Sequence, residues 1–201
     1  MFVTHKGVKK VDHFQAIATT GAISAGIAGA SEILQIRWTS TAKLCAIHSL
    51  KVNGMYATTA FAAGAIDLNA TIARAFTAAG TGGGTVTLTT NNNKMQTDFA
   101  TSVMGEIRVA TTAALTAGTK TLDATTVGSI LTHSSGGVGS ATPIIGSIYL
   151  PKLTLFEADT ASVQHPIVLE ANEGLIVRCT VPATGVWTIG FELKWAEVVE
   201  Y

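Results

Sequence analysis

From Val186 to Ala196 the chain alternates with a period of two. Trp187, Ile189, Phe191, Leu193 and Trp195 fall on one parity; Val186, Thr188, Gly190, Glu192, Lys194 and Ala196 fall on the other. Successive side chains of a strand leave opposite faces of a sheet. Five large apolar side chains on one face therefore demand a sheet whose one side is buried. Upstream, Leu175, Val177, Cys179 and Val181 share a face opposite Ile176, Arg178 and Thr180. Pro182-Ala183-Thr184-Gly185 separates the two runs. A four-residue connection carrying Pro and Gly between alternating segments predicts a β-hairpin.

The same period recurs earlier. Leu34, Ile36 and Trp38 alternate with Ile33, Gln35 and Arg37. Leu44, Ala46, His48, Leu50 and Val52 read as one face of the next strand. Ile66, Leu68, Ala70, Ile72 and Phe76 alternate with Asp67, Asn69, Thr71 and Ala73 in a further strand. Shorter candidates are Thr85–Thr90, Val103–Ala110, Ile144–Pro151, Leu153–Glu157 and Pro166–Glu170. Strands spaced near ten residues apart with turns between them predict an all-β sandwich or barrel. Helix signals are confined to a short segment over Asn93–Met104 and a turn over Thr111–Ala117. Nothing divides residues 31–201 into two cores.

The first thirty residues read differently. Ala16–Ala30 is almost wholly Ala, Gly, Ile, Thr and Ser, which fits an extended N-terminal arm lying close on a neighbour's backbone, or else an edge segment of the sandwich. Phe14–Ser31 follows Lys6, Lys9 and Lys10 but is too poor in Leu, Val and Phe for a signal peptide and too Gly/Thr-rich for a membrane span. Charge narrows the partners. The chain has 13 Lys plus Arg against 13 Asp plus Glu, so it lacks the cationic surplus of a nucleic-acid binder. Charged residues are 13% of the chain, against ~25% in typical proteins. Ala, Thr and Gly stand in their place. A surface this poor in charge suits a component covered by neighbours in an assembly.

Motifs for chemistry are scarce. Gly80-Thr81-Gly82-Gly83-Gly84 lacks the Lys of a phosphate loop and runs into strand-like Thr85-Val86-Thr87-Leu88. Gly137-Val138-Gly139 fails the dinucleotide pattern at Thr142. His5, His13, His48, His133 and His165 form no HExxH or HxH motif, and His48, on the apolar parity of its strand, reads as a core or interface histidine. Glu170 and Glu173 flank a turn. Cys45 and Cys179 lie in separate strands and read as buried thiols, with a single bridge as the alternative. The expectation is a chain with no catalytic, cofactor or metal residues.

Several strings resemble those of tailed-bacteriophage structural proteins: Ile36-Arg37-Trp38-Thr39-Ser40-Thr41-Ala42-Lys43-Leu44, Ala73-Arg74-Ala75-Phe76-Thr77-Ala78, Asn91-Asn92-Asn93-Lys94-Met95, and Thr111–Thr119. Asn172–Arg178 together with Pro182–Trp187 resembles the closing hairpin of β-sandwich virion proteins. The resemblance spans Glu32–Glu197 and implies an all-β, antiparallel β-sandwich of jelly-roll-like form with an extended N-terminal arm, serving as a non-enzymatic capsid decoration, or cement, protein on the outer capsid surface. It implies the major capsid protein and further copies of the chain, a trimer, as partners, with no membrane or nucleic acid. Anchoring then falls to residues 1–30, with Lys6, Lys9, Lys10, Phe14, Ile17, Ile23 and Ile27 on the binding or oligomer face. On this reading, removing residues 2–30 leaves a folded sandwich. The alternative is a tail or head–tail module, structural or carbohydrate-binding.

Overall fold

The computed structural model describes residues 11–24, 27–88, 93–135, 147–159 and 164–201. These carry strands β1 (Asp12–Thr19), β2 (Ile23–Ser24), β3 (Ser31–Trp38), β4 (Leu44–Thr59), β5 (Ala63–Ala78), β6 (Gly84–Thr85), β7 (Glu106–Val109), β8 (Thr119–Leu122), β9 (Gly128–Ser135), β10 (Ser147–Leu150), β11 (Leu153–Glu157), β12 (Ile167–Leu169), β13 (Glu173–Thr180) and β14 (Val186–Val198). No α-helix occurs among the described residues. Asn93–Met104, expected to hold one, forms turns and irregular backbone. The expected strands Thr85–Thr90 and Ile144–Pro151 reduce to β6 and β10; residues 89–90 and 144–146 lie outside the described set.

Two seven-stranded antiparallel sheets pack face to face. The first runs β1-β14-β4-β10, with β11 and β12 also on β4 and β2 also on β14. The second runs β6-β7-β3-β13-β5-β8, with β9 also on β5. The pairing is nested. β1 takes β14, β3 takes β13, β4 takes β12, β11 and β10, and β5 takes β9 and β8. The two halves of the chain thus form one long ribbon. Its folding brings β14 against β4 and β13 against β5.

This wrapping overturns the expected hairpin. β13 belongs to the second sheet and β14 to the first, so Pro182–Gly185 is a corner between sheets. Alternation tells which face of a strand is buried, and two consecutive strands with buried faces are satisfied equally by lying side by side or by facing each other. The corner packs on a second corner, residues 60–62. The Ala62 N–H donates to Thr184 Oγ1 at 2.7 Å. Gly185 sits at φ 122°, and a Cβ there would stand 2.6 Å from Phe61 Cδ1. Phe61 in turn packs on Trp187, ring centres 6.3 Å apart.

The core lies between the sheets and matches the expected parity along β13 and β14: Trp187, Ile189, Phe191, Leu193 and Trp195 meet Leu175, Val177 and Cys179, all buried. Elsewhere the parity switches. Register shifts against β14 interrupt β4 near residues 48 and 53. Cys45, Ile47, Leu50, Val52, Met55 and Ala57 therefore reach the core, while His48 turns outward. A bulge opposes two residues to one, so it moves every later side chain to the other face. β5 changes face too. Ala75 takes a left-handed φ of 47° and the pairing with β8 shifts between Arg74 and Ala78. Phe76 consequently leaves the main core and joins Ala73 and Ile176 in a small outer cluster.

The N-terminal segment is an edge strand over the described residues 12–24, not an arm. β1 pairs with β14 over its whole length, and β2 continues along the same strand. Phe14 (1% exposed), Ala16, Ala18 and Ile23 (0%) are core residues. Phe14 stacks on Trp195 at 5.4 Å between ring centres. Small residues that fit a neighbour's backbone also fit the edge of their own sandwich, and pairing within one chain is not subject to the entropy cost of association. Removing residues 2–30 would strip these side chains from the core, so that truncation is not expected to leave an intact sandwich.

Candidate interaction surface

The open edge of the first sheet is the best candidate for contact with another protein. Of the expected binding-face residues, Lys6, Lys9 and Lys10 lie outside the described residues. Phe14 and Ile23 are buried, and Ile27 is half-buried against the core. Ile17 alone faces solvent, 59% exposed. Beside it stands Met95, 58% exposed, which the sequence reading did not single out. Its position follows from the edge pairing: the Met95 N–H donates to His13 O at 2.9 Å, and Asn93 Nδ2 donates to Gln15 O at 3.0 Å.

These two bonds show how β1 is oriented. His13 and Gln15 turn their carbonyls away from β14. β1 is in unbroken register with β14, and backbone direction alternates along a strand. Ile17 and Thr19 therefore point their N–H and C=O groups to the same open side. Residues 93–95 cover the first half of this edge, and among the described residues no strand is paired to the second half. Buried Asn93 Oδ1 has no hydrogen-bond partner among the described residues. A hollow of about 280 Å³ opens here, lined by Gln15, Ile17, Asn93, Lys94 and Met95. A second, of about 410 Å³, adjoins it at Met95 and has His13, His48, Phe99 and Lys194 on its walls and Phe14 and Trp195 at its base.

Further onto the sheet the surface is closed by its own ion pairs. Glu192 is held by Lys152 at 3.0 Å and Lys194 at 3.5 Å; the hydrogen bond from Lys152 draws its carboxyl below the usual range. Lys51 meets Glu157 at 2.6 Å. At the end of β14 the buried Glu197 carboxylate accepts from Ser102 Oγ at 2.6 Å and Val103 N–H at 2.9 Å, with Lys43 at 3.3 Å. This clasp fixes the 102–104 segment and the β3–β4 corner. Lys43 is pushed above its ordinary pKa: burial opposes the shift, and the carboxylates of Asp12 and Glu197 together outweigh it.

The outer face of the second sheet is covered from within. Gln35 donates to Glu32 at 2.6 Å and accepts from Gly80 N–H at 2.8 Å. Lys120 reaches Glu32 at 2.9 Å while lying 4.9 Å over the Phe76 ring. The glycine-rich run 80–84 thus packs against this face. Gly83 has φ 62°, and a Cβ there would meet Val109 O at 2.2 Å. Cys45 and Cys179 are free and buried; burial pushes both thiols well up, away from the reactive thiolate.

Among the described residues no group of three or more His, Cys, Asp or Glu side chains converges to hold a metal ion. No described helix is long and apolar enough to cross a membrane. No family model, curated protein or solved structure matches this chain.

Proposed function

We propose that this chain is a non-enzymatic structural protein of a phage virion, a capsid decoration protein that braces the outer shell. The observation that carries the reading is the edge of the first sheet, where exposed Ile17 and Met95 flank β1 backbone and an Asn93 oxygen that have no partner among the described residues. Such an edge gains by lying against protein, since main-chain groups supply affinity and apolar side chains supply fit. The equal and sparse charges support the same role, because flat protein contacts then desolvate few ions. The nested pairing supports a jelly roll, a ribbon wound into two sheets. The motif resemblance supports a phage origin. Bridging the seams between capsid subunits lets each weak contact reinforce the next, and a symmetric oligomer, a trimer at three-fold positions, multiplies that gain.

The test is co-sedimentation with shells of the major capsid protein of the encoding phage. The full chain sediments with shells and saturates at a fixed number of copies. I17D/M95D and a K6E/K9E/K10E variant, each with an unchanged melting temperature, lose at least tenfold in apparent affinity. A chain that stays in the supernatant at tens of micromolar, or variants that bind as well as the parent, would refute the assignment.

A further inference from the structure

His13 and His48 come from strands that do not touch. β14 lies between them, and its Ala196 pairs in register with His13 on one side and with Ala46 on the other. The bulge at Lys194/Trp195 lets His48 turn outward on this same face. Ala196 offers only a methyl group and is 1% exposed. The two imidazoles lean together, with ring centres 5.7 Å apart and planes tilted by 39°. Both rings line the 410 Å³ hollow, with Gln96 and Met95 on its rim.

We propose that His13 and His48 form a two-histidine chelate for a borderline transition-metal ion such as Zn²⁺, its remaining positions filled by water or by a group from outside the chain. The spacing fits. An ion binding two imidazole nitrogens at about 2.0–2.1 Å in tetrahedral array holds the ring centres about 5 Å apart, so a small change in side-chain torsions closes the site. The opposing charge in the hollow is Lys194, and Glu192 at 3.5 Å partly offsets it. Two protein ligands leave the site open, unlike a closed structural zinc centre. The bound ion would tie edge strand β1 to central strand β4 across β14.

The experiment titrates ZnCl₂ into the metal-free full chain at pH 7.5 by calorimetry, with melting followed by circular dichroism. One saturable equivalent is expected, with a melting temperature that climbs with zinc. H13Q and H48Q each weaken binding at least tenfold, about 1.4 kcal/mol, while H133Q binds as the parent does. As a check needing no mutation, paramagnetic Ni²⁺ should broaden the imidazole resonances of His13 and His48 before those of His133 and His165. Absence of saturable binding, full affinity in either variant, or uniform broadening would overturn the proposal.

Discussion

Replacing Phe14 with alanine separates an arm from a core strand. An arm residue that meets only a partner costs the isolated chain almost nothing when truncated. Phe14 is 1% exposed and stacked on Trp195, so the substitution removes a full aromatic ring from between the sheets. Buried Phe→Ala changes cost about 3–5 kcal/mol, less where neighbours relax into the gap. The 410 Å³ hollow beside the ring allows such relaxation, which places the expected loss near 3 kcal/mol, about a hundredfold in the folding equilibrium. With a urea dependence of about 2–3 kcal/mol per molar, the midpoint falls by about 1–1.5 M. Equilibrium unfolding followed by tryptophan fluorescence reads this directly, because Trp195 is the stacking partner. I17A on the same strand, at an exposed position, shifts the midpoint by less than about 0.25 M, within the ±0.5 kcal/mol of ordinary surface changes. If F14A moved the midpoint no more than I17A, the assignment of β1 to the core would be wrong.

Two further perturbations probe the corner and the outer face. G185A forces a Cβ into the Phe61 ring at a left-handed φ and should cost about 1–3 kcal/mol, lowering the melting temperature by several degrees; G29A, whose Cβ would meet nothing closer than 3.9 Å, serves as the neutral control. Glu192 titrates below its unfolded value of 4.5, chiefly through its hydrogen bond from Lys152, so the unfolded chain takes up its proton first as pH falls. Its contribution is complete above about pH 4.5 and disappears as pH falls through the folded value. E192Q should flatten melting temperature against pH below 4.5 and leave the slope between pH 6 and 8 unchanged, and parallel acid limbs in the two proteins would refute this.

Sequence alone determined the class of fold and much of the core. Strict alternation has one physical solution, a sheet with one wet and one dry face, so Trp187, Phe191 and Trp195 were legible as core before any coordinates. What alternation does not encode is which strand lies beside which. The Pro182–Gly185 turn served equally for a hairpin and for a corner between sheets, and only the long-range pairing of β13 with β3 and β5 decided it. Bulges carry no mark in a single sequence, so the outward turn of His48 and the departure of Phe76 from the main core emerged only in three dimensions. The candidate edge shows the same division. The sequence placed Ile17 on one face with Phe14 and Ile23, which the fold buries, and Met95 reaches Ile17 through a backbone bond to His13, 82 positions earlier. Local periodicity is written in neighbouring residues, whereas register, sheet order and edges depend on contacts between distant ones, and only tertiary packing selects among them.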